Sequence, residues 1–405
     1  LRWWLPALAV ALLGSPVVAK DAHDRTVVAG RTGKQLDEAI QRATQGGFWG
    51  AVLVARKGKV LLAKGYGFRD YSAAPNTPMT LFEIASTSKP FTAAAILKLV
   101  QQGKLEVTDT LKKLFPGTPA DKHSIQVLHL MQHRSGLSSR IGVPYNSPLS
   151  RKDYIAYILK APGEHMPGEQ FAYNNAGYAI LAAIVEQVSG TSFESYCQKH
   201  LFRPAGMQDT GFIQDKALLA SGRSAARLGP GADGISAANW HWGWGYRGMG
   251  GVVTTVFDLL AWDRALRTDK ILDEKHRDLY YEEGLSSYAC GWRIGTTPTG
   301  GTSVSHSGGV QGFRCMYTRL LEDDIVIAVC TNDGGDPHKV ARTAQDALLP
   351  PPRLEATIDA SPYTLSKNRV AEWKTGLSFT AATQGGTLTI RLLDPKGRAV
   401  ATLRM

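Results

Sequence analysis

The chain has 405 residues, 43% of them hydrophobic and 20% charged, with a formal net charge of +11. This composition excludes a disordered polymer and supplies enough apolar material for one large domain with an insertion, or for two domains. The positive charge is spread without a dense Lys/Arg block, which argues against a nucleic-acid partner and leaves solvated surface charge, or loose association with an anionic cell envelope.

In chain order, the first segment, residues 1–19, reads as a signal peptide. Arg2 is a short basic start, Leu5 to Leu13 an apolar run broken by Gly14 and Pro16, and Val17-Val18-Ala19 a small-residue cleavage site. An uncleaved anchor is the rival reading, but the apolar run is shorter than the roughly 18–20 residues a span needs. Secretion or a periplasmic location is the expectation.

Lys34 to Gln45 follows with helical spacing, its apolar face made by Leu36, Ala39 and Ile40. Trp49 to Ala55 and Val60 to Tyr66 are strand-like runs joined at Lys57-Gly58, a hairpin signal. Leu81 to Ala85 leads into a helical run from Ser86 to Gln102, ended by Gly103 and apolar nearly all round, hence buried. From about 111 to 285 the signals are helices and long loops: Ile125 to His133, Asp153 to Leu159, Ala176 to Val188, Phe193 to His200. Strands return at Tyr288 to Ile294, Ser303 to His306, Phe313 to Arg319 and Ile325 to Thr331, before a helix from His338 to Leu348. The pattern predicts an α/β (α+β) body over 20–350: a sheet from about 24–110 plus 286–350, with a helical insertion over about 111–285. Pro350-Pro351-Pro352 marks a boundary. The tail, 351–405, alternates weakly at Leu377 to Phe379 and Thr387 to Leu392 and reads as β-rich.

Four cysteines, Cys197, Cys290, Cys315 and Cys330, are too few and scattered for a disulfide scaffold. A turn centred between Glu322 and Asp323 places Cys315 opposite Cys330, at the roughly 4.5–5.5 Å Cα spacing that a bridge can span. Two buried free thiols are the alternative.

Three constellations carry chemistry. In Ser86-Thr87-Ser88-Lys89, the Ser and Lys share one face at a helix start. A buried, neutral Lys amine can take the Ser proton, and the helix N-terminus favours an oxyanion. An N-cap Ser with a surface Lys is the plain alternative, uncomfortable before so apolar a helix. Tyr173-Asn174-Asn175 offers a phenol as proton relay and a carboxamide for a substrate amide, and serves equally as a helix start capped by Asn174 or Asn175. His306-Ser307-Gly308-Gly309 ends a strand; its glycines let a substrate backbone approach and present an N–H, or they form a plain turn.

Together these pieces resemble the serine β-lactamases and penicillin-recognising enzymes, in the branch of class C β-lactamases, D-alanyl-D-alanine carboxypeptidases and esterases. That family has Ser-x-x-Lys, Tyr-x-Asn and Lys- or His-x-Gly in this chain order. Leu81-Phe82-Glu83-Ile84-Ala85, His133-Arg134-Ser135-Gly136-Leu137, Pro204-Ala205-Gly206-Met207 and Gly248 to Thr255 are similar as well. The resemblance covers about Lys34 to Leu348. It implies an antiparallel sheet flanked by helices with an inserted all-helical subdomain, and an exported serine hydrolase needing no metal or organic cofactor. Ser86 would be the nucleophile, with Lys89 and Tyr173 sharing base and acid duty. Asn175 would position the substrate amide. The N–H groups of Ser86 and Gly309 would form the oxyanion hole, and His306, Ser307 and Gly308 would line the substrate side. Substrates would be small molecules or peptidoglycan peptides.

His306 stands where a β-lactamase has a lysine, a fixed cation for a substrate carboxylate, and that departure argues against efficient β-lactam hydrolysis. Three readings stay open: a hydrolase of D-amino-acid peptides or β-lactams, a carboxylesterase, and a non-catalytic penicillin- or envelope-peptide-binding protein. Intact Ser86, Lys89 and Tyr173 argue against the third. His129 and His133, four apart on an expected helix, lack the Glu of a zinc-protease motif and read as packing residues. There is no Gly-x-Ser-x-Gly elbow. Trp240, Trp242, Trp244 and Tyr246 either wall the cleft or pack a loop.

Overall fold

The computed structural model describes residues 24–45, 47–228, 234 and 243–349, and the backbone of three further strands between 353 and 404. The leader, Trp240 and Trp242, and Leu377 to Phe379 lie outside the described residues. Strands β1 (Val27–Val28), β2 (Gly50–Arg56) and β3 (Lys59–Tyr66) come early, followed by β4 (Phe82–Glu83), β5 (Gly211–Phe212) and β6 (Val252–Thr254). Then come β7 (Arg293–Thr296), β8 (Thr302–Val310), β9 (Phe313–Leu320) and β10 (Ile325–Thr331), and in the tail β11 (Arg353–Ile358), β12 (Leu388–Leu393) and β13 (Ala399–Arg404). The main sheet is antiparallel with order β1-β3-β2-β10-β9-β8-β7, so both ends of the chain build it, as the pattern predicts. The tail forms a separate antiparallel sheet, β11-β12-β13.

Side chains of the central strands alternate between two cores, the period of two that a doubly covered sheet requires. Val52, Val54, Ile325, Ile327 and Val329 pack under the helices Gly30–Thr44 and Pro337–Leu348. Ala51, Leu53, Ala55, Val326, Ala328 and Cys330 face the larger core around the helix Lys89–Gln101. That helix is buried from Lys89 to Leu97, which explains its lack of a polar face. The β2–β3 hairpin turns at Lys57 and Gly58, both with positive φ (49° and 69°), the geometry that matches strand twist.

Some boundaries differ from the pattern. The expected strand at Tyr288 to Ile294 starts only at Arg293, because Gly291 (φ 79°) turns the chain and Tyr288 makes an isolated bridge to Arg293. Beta-strand β8 runs four residues beyond His306. The 111–285 stretch carries the expected helices, and β5 and β6 within it form a small sheet with β4 in the order β4-β6-β5. Cys315 and Cys330 are register partners, with Sγ atoms 3.6 Å apart and both thiols free.

A buried ion network ties the sheet to the helix Val256–Leu266. Asp263 accepts from Arg319 Nε at 2.6 Å and from Arg267 Nε at 2.9 Å, and Arg319 also donates to the Tyr281 hydroxyl. Asp263 and Arg319 are only 2% and 1% exposed. Asp263→Ala strands a buried guanidinium and is expected to lower stability by about 3–5 kcal/mol in urea unfolding. Adding Arg319→Met should recover part of that loss.

Candidate active site

After β4 the chain turns sharply at Ala85, whose φ of 48° is unusual for a residue with a Cβ. A single 3-10 turn, Ala85–Ser88, then hands over to the helix at Lys89, with Pro90 in its first turn. Ser86 therefore precedes the regular helix that the sequence pattern starts at that residue. Three residues on, Lys89 Nζ lies 2.9 Å from Ser86 Oγ and donates to Met249 O at 3.0 Å. The lysine is fully buried, and burial holds its amine well below the usual lysine range, against a weaker opposing pull from Glu83.

Tyr173 stands over this pair. Its ring centroid is 4.9 Å from Lys89 Nζ, and its hydroxyl has Ser86 as a hydrogen-bonding neighbour. The residue is 38% exposed, so it reaches from the core to the opening. Burial of its hydroxyl pushes the phenol up to about 12, with Ser86 and Arg293 pulling weakly the other way. Asn174 caps the helix Asn175–Ser189 by accepting from Gly177 N–H at 3.1 Å, so of the two cap readings Asn174 is the one realised. Asn175 is the exposed first residue of that helix and is not among the residues that line the groove.

Beta-strand β8 forms the facing wall. Its pairing with β7 stops at Ser305, so residues 306–310 have β9 on one side and the Ser86 turn against the other. Gly308 permits this approach: a Cβ there would sit 2.1 Å from Ile84 O and 2.9 Å from Ser86 N. At Gly309 only Arg314 Cγ, at 4.0 Å, would be near. His306 is buried, its Nδ1 2.7 Å from Ser307 O and its Nε2 2.9 Å from the Tyr288 hydroxyl. A donor at Nδ1 and an acceptor at Nε2 satisfy both contacts with a neutral ring. Burial, with Lys89 nearby, lowers its pKa to about 3.

Ser86, Tyr173, His306, Ser307, Gly308 and Gly309 line one groove of about 370 Å³. The same groove takes in Arg293, Arg314 and His338, which sequence reasoning missed. Arg293 lies 5.7 Å over the rings of Phe171 and Tyr288, and both arginines are exposed. A larger open depression of about 960 Å³, beside Glu106 and Glu274 to Glu282, contains none of these residues.

Behind the nucleophile lies another missed residue, Glu83. Its Oε1 accepts from Tyr246 O–H at 3.0 Å and Gly251 N–H at 2.9 Å, and its Oε2 accepts from Ala85 N–H at 2.9 Å. It thereby joins the turn that carries Ser86 to the turn that offers Met249 O to Lys89. Full burial raises its carboxyl to about 7, against those three hydrogen bonds. A charged residue inside the apolar run Leu81 to Ala85 was the available signal. The helix near His129 ends at Met131, so His129 and His133 do not share one helix face as the spacing suggests. Each accepts a backbone N–H through Nδ1, from Gln126 and Asn174 respectively.

Comparison with known proteins bears on this arrangement. A family model described as Beta-lactamase matches residues 29–349. The chain is 28% identical over 321 residues to penicillin-binding protein 4* of Bacillus subtilis (strain 168), across 71% of this chain and 69% of that protein. Among solved structures, a penicillin-binding protein homologue from Pyrococcus abyssi superposes with a TM-score of 0.69 at 22% identity, covering 92% of this chain and 89% of that one. A D-amino acid amidase from Ochrobactrum anthropi SV3 gives a TM-score of 0.67 at 22% identity, covering 78% and 99%. At these identities the two structures are likenesses of fold.

Proposed function

The chain belongs to the β-lactamase family, and we propose that it is an exported serine hydrolase that cleaves peptides or amides of D-amino acids through an acyl-enzyme on Ser86. The contact that carries this reading is the 2.9 Å approach of the buried Lys89 amine to Ser86 Oγ. The amine, held neutral by burial, takes the hydroxyl proton as Oγ attacks the carbonyl carbon. The N–H groups of Ser86 and Gly309 receive the developing oxyanion. Tyr173, kept as a phenol by its raised pKa, gives its proton to the leaving nitrogen and is reprotonated through Lys89. Water then releases the acyl group by the same steps reversed.

Arg293 supports a substrate that ends in a carboxylate. His306 is neutral and already bonded to Tyr288, so it offers no cation. The Arg293 guanidinium in the same groove supplies one. The likeness to a D-amino acid amidase favours D-amino-acid chemistry, and the penicillin-binding relative favours a groove that takes penicillin. Export rests on the leader-like run Leu5 to Leu13 and the small residues after it.

Intact mass after incubation with a penicillin, and separately with an activated ester, tests the reading. One acyl adduct per chain is expected; no adduct from either reagent ends the case for an acyl-enzyme. Assays on a D-alanyl dipeptide, a p-nitrophenyl ester and a chromogenic cephalosporin then rank the substrates, and faster turnover of the neutral ester would make it a carboxylesterase instead. Arg293→Ala is expected to raise KM for the dipeptide about 10- to 100-fold, the worth of a charge-assisted hydrogen bond, while leaving the ester unchanged.

A further inference from the structure

We propose that His133 is the positioning residue that fixes Tyr173 for proton transfer, by gripping the backbone on both sides of the tyrosine. The inference rests on the role given to Tyr173 above. Ala172 N–H donates to His133 O at 2.8 Å, and Asn174 N–H donates to His133 Nδ1 at 3.1 Å. Both peptide neighbours of Tyr173 are thus bonded to one residue. The imidazole also packs on the Tyr173 ring, with centroids 4.2 Å apart, and lies 4.9 Å from the Tyr178 ring and 4.7 Å from that of Tyr288. The phenol is left free to reach the groove while its anchor cannot shift.

The grip has its own geometry. His133 sits just past the helix Val127–Met131 with φ 54°, the left-handed region that Asn, Asp and His enter more readily than other side chains with a Cβ. This conformation presents its carbonyl and its ring to the same strand of chain. Because Nδ1 accepts from Asn174, the ring proton is on Nε2, which is buried and has no hydrogen-bond partner among the described residues. Burial, with Lys89, His306 and Arg293 nearby, holds the ring well below the usual histidine range, so the acceptor persists at working pH.

Three variants separate grip from filling. Asn places Oδ1 where histidine has Nδ1 and tolerates the same φ. Phe keeps the ring but removes the acceptor. Gly suits the backbone and removes both. With whichever of the p-nitrophenyl ester and D-alanyl dipeptide the wild type turns over, His133→Phe is expected to lower kcat about 100-fold with KM little changed, the penalty of a misplaced catalytic group. His133→Gly should do the same, and His133→Asn should stay within about tenfold of wild type. Wild-type kcat in the Phe or Gly variant overturns the proposal, as does an Asn variant as slow as the Phe one. Tyr173→Phe is run alongside. If it is as fast as wild type, the role of Tyr173 itself fails; if it is slow while the Phe and Gly variants are fast, only the His133 inference fails.

Discussion

Ser86→Ala is expected to abolish covalent labelling by penicillin and by activated esters, and to lower kcat/KM by about 10⁶-fold on the best substrate. The size follows from what the hydroxyl does. It lies 2.9 Å from Lys89 Nζ and beside the Tyr173 hydroxyl in the groove, and removing it removes the attacking atom. Ser88 is no substitute: it is buried, and its Oγ accepts from Val252 N–H at 3.2 Å. Thr87 is buried too, its hydroxyl turned to His306 O at 3.5 Å. Since the groups act as a unit, Ser86→Ala combined with Lys89→Met should be hardly slower than Ser86→Ala alone. Intact mass reads the first claim and steady-state kinetics the second. A surviving adduct on the Ala variant would falsify the assignment of Ser86.

How much of this is legible in the sequence depends on the range of each interaction. Ser86 and Lys89 are three residues apart at a helix start, so local geometry alone brings them together. The apolar helix that follows also foretold that Lys89 is buried. The register of Cys315 against Cys330 was legible for a similar reason, because a short hairpin has few alternatives. Tyr173 entered through chain order and resemblance, not local geometry. Arg293 and Arg314 reach the groove from strands paired to β8, at Ser305 and Gly309, and no spacing rule announces that. His133 was read as packing, and the ring contacts agree with that. Its two bonds around Tyr173 join positions about 40 apart, beyond any periodicity. At Tyr173-Asn174-Asn175 the sequence left two residues open as the cap, and the fold gives that place to Asn174, with Asn175 the exposed first residue of the helix.

Lys89→Met is expected to lower kcat/KM by at least about 10³-fold, since a positioned base contributes on the order of 10²–10⁴ and here also serves Tyr173. The same variant carries a prediction about stability with a definite sign. The folded-state pKa of Lys89 is depressed by burial from an ordinary 10.5. Between those two values the unfolded chain binds the proton and the folded chain does not, so wild-type stability climbs with pH through that window. Methionine removes the climb. At pH 7 the variant gains the relieved proton cost and loses two hydrogen bonds, to Met249 O and Ser86 Oγ, worth about 1 kcal/mol each. Each unit of pKa depression is worth about 1.4 kcal/mol, so a depression of about two units or more outweighs those bonds. Near pH 10.5 the proton term has nearly gone and the two lost bonds dominate. The two stability curves should therefore cross, with the inactive variant more stable at pH 7 and the wild type more stable near pH 10.5. Glu83 contributes the opposite slope: raised from 4.5 to about 7, it makes stability fall as pH rises through that interval. Urea unfolding from pH 5 to 10.5 reads both arms. Parallel curves with no crossing would mean that the lysine is charged where it sits, and the base in acylation would have to be sought elsewhere.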